Sequence, residues 1–181
     1  APAFEAAAAG GAWTLIKTLT ASADATLSFV DGSASVVMDN TYRSYKWVFI
    51  NIHPATNNAH FQFQCSDDTG SSYAANLKTV QGRNYHNGST EYWVVGGRST
   101  NTGTGSGGSG FEGIAHEVGS DNEQSMCGWL ELYAPSGTTH HKKVIGWTLK
   151  EQANDMIDGQ FMHGIFHTTS ALDAIQFKFS S

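Results

Sequence analysis

The clearest pattern in this sequence is an alternation of apolar and polar side chains along residues 45–66. Successive side chains of a β-strand face opposite sides of a sheet. The first half therefore predicts one strand with two faces, made by Tyr45, Trp47, Phe49 and Asn51 and by Lys46, Val48, Ile50 and Ile52. Turn-forming residues occupy 54–58, and a second alternation follows, in which Phe61, Phe63 and Cys65 face away from Gln62 and Gln64. Two such runs around a short turn predict an antiparallel hairpin, which we place at the centre of a β-sandwich.

Similar but shorter patterns recur along the whole chain. They predict further strands over 13–20, 25–30, 73–85, 91–95, 111–118, 126–133, 140–149, 159–168 and 172–179. Asn87-Gly88 is a hairpin turn signal, and Ile175, Phe177 and Phe179 share a face. About eight to ten strands without a long helix predict an all-β protein with an antiparallel, jelly-roll-like β-sandwich. The domain would cover 13–181, after a short N-terminal arm or linker over 1–12 and with a mobile surface loop over 96–110.

Composition narrows the classes of partner. Only 14% of the 181 residues are charged and the formal net charge is −6, so the basic patch that a nucleic-acid phosphate backbone requires is missing. No apolar stretch reaches the roughly 20 residues of a membrane span. The residues at the start lack the basic region of a signal peptide. We therefore expect no nucleic acid, no membrane insertion and no cofactor.

The two cysteines, Cys65 and Cys127, both lie in apolar runs. We expect two buried free thiols that act as small apolar side chains. A single disulfide between them stays open at this point, because a pair of cysteines does not fix a connectivity.

Candidate catalytic and metal-binding residues are few. His163 and His167 are four residues apart, but in a strand that spacing separates two side chains by about 13 Å, so we expect no metal site. Carboxylates that could serve a polysaccharide-cleaving enzyme are Asp67, Asp68, Asp155, Asp158, Glu112 and Glu131. The pairs Asp67-Asp68 and Asp155/Asp158 are interpreted as solvated loop acids, and no nucleophile motif is present. We therefore expect a protein without catalytic residues.

The aromatic residues offer a better candidate. Trp47, Trp93, Trp129 and Trp147 all lie in predicted strands. On an exposed sheet face they would stack on sugar rings, whereas in the core or at a subunit interface they would serve packing. The sequence does not separate these alternatives, and we favour packing.

Four segments carry a resemblance to a known group of proteins. They are WTLIKTLTASADATLSFVD (13–31), YRSYKWVFINIHPATNNAHFQFQCSDDTGSSY (42–73), GWLELYAPSGTTHHKK (128–143) and TTSALDAIQFKFSS (168–181). Together they resemble virion structural proteins of tailed bacteriophages, especially marine and cyanobacterial ones. Members of that group continue beyond the Ser-Ser with a glycine turn and another strand. Ser181 is the last residue of this chain, so either the corresponding strand is missing or the sheet closes differently.

The resemblance implies a non-enzymatic protein on the outer surface of the capsid or tail, as a head decoration protein or as part of a tail fibre or appendage. Its expected partners are other virion proteins and copies of itself, in a symmetric homo-oligomer that we take to be a trimer. A glycan-binding, receptor-recognising module and a polysaccharide-cleaving enzyme are the alternatives.

Overall fold

The computed structural model describes residues 13–96 and 110–180. The expected arm over 1–12, the glycine-rich loop over 97–109 and Ser181 lie outside the described residues. The ten strands are β1 (Leu27–Val30), β2 (Ser44–Ile52), β3 (Ala59–Ser66), β4 (Leu77–His86), β5 (Glu91–Gly96), β6 (Glu112–Val118), β7 (Met126–Tyr133), β8 (Lys142–Glu151), β9 (Ile157–Phe166) and β10 (Ala174–Phe179). Helices are absent from the described ranges.

The strands form two antiparallel sheets that pack face to face. The narrow sheet has the order β1-β10-β3-β6, and the wide sheet has the order β2-β7-β8-β9-β4-β5. Without the β8–β9 hairpin the order would be β1-β10-β3-β6 against β2-β7-β4-β5, the strand order of a jelly roll. The predicted all-β, antiparallel, jelly-roll-like sandwich is confirmed.

Aromatic side chains from both sheets fill one half of the core. The ring of Phe49 in β2 lies 5.1 Å from that of Phe61 in β3 and 5.2 Å from that of Phe177 in β10. Trp47 contacts Phe29 and Phe177 at 6.2 and 6.0 Å. Because the alternation along each strand puts these rings on the inner face, the sequence pattern directly determines this part of the core.

The predicted central hairpin is wrong. β2 pairs with β7 in the wide sheet, whereas β3 pairs with β10 and β6 in the narrow sheet. Residues 53–58 therefore cross from one sheet to the other. The two alternations are correct, but they place the inner faces of β2 and β3 against each other across the core instead of side by side in one ladder.

A β-bulge also changes the face of the last residue of β2. Phe49 pairs with Gly128 and Ile52 with Met126, so β2 has one residue more than β7 in this interval. Asn51 takes a left-handed conformation with φ 51°. Ile52 therefore packs against the core, and not on the outward face with Val48 and Ile50 as the simple alternation predicts.

Some of the shorter predictions are confirmed by the structure and one is wrong. Asn87-Gly88 does connect the antiparallel strands β4 and β5, and Ile175 and Phe177 are buried together. The predicted strand over 13–20 is wrong, since this segment joins neither sheet ladder.

Cys65 is buried as expected, but Cys127 is exposed because it lies on the outward face of β7, and both thiols are free.

Candidate functional site

The most unusual surface of the molecule is the side of the wide sheet that faces away from the narrow sheet, which we call the outer face. A row of outward side chains from β2, β7, β8, β9, β4 and β5 forms it. Its exposed apolar members are Val48, Ile50, Val80, Trp93, Tyr133, Trp147, Leu149, Ile157 and Ile165. Ile50 is 69% exposed and Trp147 is 46% exposed. The side chains on a sheet face in contact with water are usually polar.

An aromatic row crosses the middle of the outer face. Trp129 of β7 is the register partner of Trp147 of β8, which in turn is the partner of Phe161 of β9. The rings of Trp147 and Phe161 stack at 6.0 Å with an interplanar angle of 19°. Phe161 in turn covers Gly82 of β4, where an added Cβ would lie 2.3 Å from the ring. The row is therefore fixed in place by its own packing.

The four candidate tryptophans do not form one group. Trp93, Trp129 and Trp147 lie on the outer face, since Trp93 pairs with the outward residue Asn84. Trp93 is 70% exposed and Trp129 is half-buried. Trp47 is only 9% exposed and belongs to the core, so it takes no part in any surface strip.

Charged side chains are placed at the margin of the outer face. Lys46 of β2 is the register partner of Glu131, and its ammonium lies 4.2 Å above the Trp129 ring. Lys78 and Lys143 flank Ile165 at one end of the strands. An apolar centre with a charged margin is the usual anatomy of a protein–protein interface.

A second group of functional interest is a polar cluster inside the sandwich, centred on the fully buried Asp158 of β9. Its Oδ2 accepts hydrogen bonds from Arg83 Nε at 3.0 Å, from Gln152 Nε2 at 2.8 Å, and from Arg83 Nη2 and Lys150 Nζ. Arg83 Nη2 also donates to Glu117 Oε2 at 3.0 Å. In the part of the chain described, Asp158 Oδ1 has no donor.

The pKa values in this cluster follow from burial and pairing. Burial alone would raise the pKa of Asp158, but the hydrogen bonds from Arg83 and the charge of Lys150 outweigh it and hold that pKa below its ordinary value. Burial lowers the pKa of Lys150 to about 8, although Asp158 opposes the shift. At neutral pH the Asp158 carboxylate is therefore paired with two cations, Arg83 and Lys150.

The polar interior continues along β6. Gln81 Nε2 donates to the buried carboxylate of Glu112 and, at 3.0 Å, to the Gly113 carbonyl. Gln81 Oε1 accepts from Gln160 Nε2 at 2.9 Å, and Thr148 Oγ1 donates to the Ile114 carbonyl at 2.7 Å. Sequence reasoning missed this network. The sequence does contain a signal for it, because polar residues alternate onto the same face as Leu77 in β4 and onto the same face as Phe166 in β9.

The structure separates the other candidate residues. Asp67, Asp68 and Asp155 are exposed in turns, and Glu131 lies on the outer face. The expectation of a solvated loop acid is wrong for Asp158, which is buried in β9, and Glu112 is buried in β6. His163 lies 5.5 Å from Phe161 and His167 lies 5.0 Å from His141, measured between ring centroids. Among the described residues no group of three or more His, Cys, Asp or Glu side chains is placed to hold a metal ion.

Comparison with known proteins found no matching family model, no matching curated protein and no matching solved structure. Within residues 13–96 and 110–180, no helix has the length and apolar character needed to cross a membrane.

Proposed function

We propose that this chain is a non-enzymatic structural protein on the outside of a bacteriophage particle, and that copies of it assemble through the outer face. The observation that carries the proposal is the number of large apolar side chains on the outer face, with Trp147, Leu149 and Ile50 exposed on it. Soluble monomers rarely expose a large group of apolar side chains on one side of a sheet. A protein partner would remove this surface from water and stabilise the assembly.

The dimensions of the outer face favour a second copy of the chain as that partner. Strands about 4.8 Å apart and about 3.4 Å per residue give a face of roughly 24 by 30 Å, or about 700 Å². A standard interface takes about 800 Å² from each partner. Homo-oligomer interfaces are also more apolar than transient ones, which agrees with the aliphatic residues around the aromatic row.

The composition of the outer face favours one of the two roles considered for the tryptophans. A sugar-binding platform places hydrogen-bonding side chains beside an aromatic ring, because a sugar presents hydroxyl groups around its rim. On the outer face Trp147 is flanked by Ile145 and Leu149 along β8 and by Trp129 and Phe161 across the ladder. The nearest polar side chains, Glu131 and His163, lie only diagonally across from Trp147. We therefore assign the outer face to protein assembly.

The placement on a virus particle is supported by the resemblance to phage virion structural proteins. The resembling segments include β2, β3, β10 and most of β7, so they cover strands of both sheets. A weakly charged jelly-roll-like sandwich suits a surface module of a head or tail, with other virion proteins and sister copies as partners. We expect a symmetric homo-oligomer. The outer face packed on the same face of a second copy gives a two-fold dimer, and a trimer, in which two different surfaces of each copy meet, is the alternative form to test.

Self-association is tested by sedimentation velocity over a wide range of protein concentration. The wild-type chain is expected to sediment as an oligomer, and Leu149→Lys as a monomer with unchanged circular dichroism and a single cooperative thermal transition, whose Tm is lower because association no longer stabilises the folded chain. The matched control is Thr26→Lys, which adds the same charge at an exposed position beside the narrow sheet and should leave the oligomer intact. A wild-type chain that stays monomeric at every concentration would contradict assembly through this face.

Membership of a particle is a separate question with its own experiment. Antibodies against the folded domain should label the outside of purified phage particles by immunogold electron microscopy, and mass spectrometry of those particles should find the chain in many copies. Its absence from particles purified from an infected culture that produces the chain would contradict the virion placement.

A further inference from the structure

The inner side of the β4–β5 hairpin contains a pocket that is distinct from the outer face. It has a volume of about 220 Å³ and is lined by Arg83, Tyr85, Val94, Glu117, Gln152 and Met156. β5 extends beyond the cover of the narrow sheet here, since the inward side chains Tyr92 and Val94 are 43% and 38% exposed. At about 30 Å³ per water molecule, the pocket has room for one ring-sized molecule.

The polar side chains of the pocket are held in place by the interior cluster behind them. Arg83 is fixed by Asp158 and by Glu117, and Gln152 donates to Asp158. Planar groups that are already ordered bind a ligand without a further loss of side-chain entropy. The pocket therefore presents guanidinium, carboxylate and amide groups at fixed positions.

The backbone of Glu117 is strained in a way that serves this arrangement. Ala59 pairs with Val118 and Phe61 with Ala115, so β6 has an extra residue in this interval, and Glu117 takes a left-handed φ of 60°. Its amide donates to His60 Nδ1 at 3.1 Å. Bulges redirect side chains, and strained non-glycine residues concentrate at functional sites. Here the bulge accompanies the contact between the Glu117 carboxylate and Arg83.

Apolar side chains complete the pocket. The Tyr85 ring stacks on Tyr92 at 4.8 Å with an interplanar angle of 20°. The Arg83 guanidinium carbon lies 5.7 Å from the centroid of the Tyr85 ring. Val94 and Met156 add aliphatic surface. The pocket therefore combines a fixed aromatic ring, two aliphatic side chains and planar hydrogen-bonding groups.

The charges around the pocket balance. Arg83 and a protonated Lys150 offset Asp158 and Glu117, so the site favours neither a small anion nor a small cation. A neutral molecule with hydroxyl groups on its rim and an apolar ring face matches both the polar and the apolar walls. We propose that this pocket binds one neutral sugar unit of a glycan. The proposal does not depend on assembly through the outer face.

The test is a titration of ¹⁵N-labelled protein with neutral monosaccharides, namely glucose, galactose, mannose and N-acetylglucosamine, followed by amide chemical shifts. At least one sugar is expected to give saturable shifts at Tyr85, Val94, Glu117 and Gln152. The pocket-filling variants Val94→Phe and Met156→Trp should each weaken binding at least tenfold while their Tm values show that they fold. Trp93→Ala and Trp147→Ala on the outer face should bind as the wild type does.

Three results would overturn the proposal. The first is no saturable shift with any sugar of the panel. The second is binding that survives both pocket-filling variants or is lost in Trp147→Ala, because the sugar would then lie on the outer face. The third is tighter binding of glucuronic acid than of glucose, because a charged ligand would contradict the charge balance. In each case the sedimentation result for Leu149→Lys is unaffected, so failure of this inference is distinguishable from failure of the proposed function.

Discussion

The interior polar cluster depends on a single residue, Asp158. It follows a polar stretch, Glu151 to Ile157, that is typical of a loop, yet it is the first inward residue of β9. Its carboxylate satisfies the donors of Arg83, Lys150 and Gln152 at once. Buried cations without a partner are costly, so the side chains around Asp158 depend on its charge.

Replacement of Asp158 by Asn is therefore expected to destabilise the domain strongly. The variant leaves Arg83 and Lys150 without their shared carboxylate, and breaking a buried ion pair costs about 3–5 kcal/mol. Equilibrium urea unfolding measures the loss. The matched control, Asp155→Asn, changes an exposed turn residue that accepts from Gln124, and should shift the free energy of unfolding by less than about 0.5 kcal/mol. Equal small effects in both variants would contradict the buried cluster.

Lys150 gives the same cluster a pH dependence. Folding lowers its pKa from 10.5 to about 8, so between these pH values the unfolded chain binds a proton that the folded chain has released. The free energy of unfolding that Lys150 contributes therefore rises with pH across this interval, by up to about 3 kcal/mol at about 1.4 kcal/mol per unit. Below about pH 8 the contribution is flat.

The measurement compares wild type with Lys150→Met in urea unfolding at several pH values. Tyrosines that titrate in the same range cancel in the difference between the two proteins. That difference should grow in favour of the wild type from pH 8 upward. A difference that is constant with pH would mean that the ammonium group of Lys150 keeps its ordinary pKa in the folded protein.

At the scale of elements, the alternation predicted faces better than partners. It grouped Tyr45, Trp47 and Phe49 on one face of β2, and that face is buried in the core. The Asn87-Gly88 turn signal correctly predicted the β4–β5 hairpin. It did not predict that β2 and β3 lie in different sheets, because alternation is local and the choice of a ladder partner depends on contacts far apart in sequence. The prediction of a strand over 13–20 was wrong for the same reason, because the pattern of one segment does not show whether another strand is available to pair with it.

The β2 bulge leads to a prediction about Asn51. Its φ of 51° suits Asn and Gly, but a β-branched side chain is strongly disfavoured there. Asn51→Gly should change the free energy of unfolding by a few tenths of a kcal/mol, and Asn51→Val should lose about 1–2 kcal/mol. Thermal unfolding followed by circular dichroism measures both. A Val variant as stable as the Gly variant would contradict this account, because it would mean that the domain does not depend on the left-handed conformation at position 51.

At the scale of the whole molecule, composition and pattern predicted the fold class but not the functional surfaces. The low charge content already indicated a surface unlike that of a typical soluble domain. The separation of Trp47 from Trp129 and Trp147 required the assignment of strands to sheets. The pocket at Arg83 required more, because it joins residues of β4, β5, β6 and the β8–β9 turn, which no sequence spacing brings together.

The chain carries its own probe for the outer face. Cys127 is exposed between Ile50 and Leu149 on that face, whereas Cys65 is buried, and burial raises the pKa of the Cys65 thiol and keeps it unreactive. The rate of maleimide labelling at Cys127, measured against wild-type protein concentration, therefore reports directly on coverage of the outer face. We predict that labelling slows as the wild-type chain assembles and stays fast at every concentration in Leu149→Lys. A labelling rate that is independent of concentration in both proteins would contradict the assembly of this chain through its outer face.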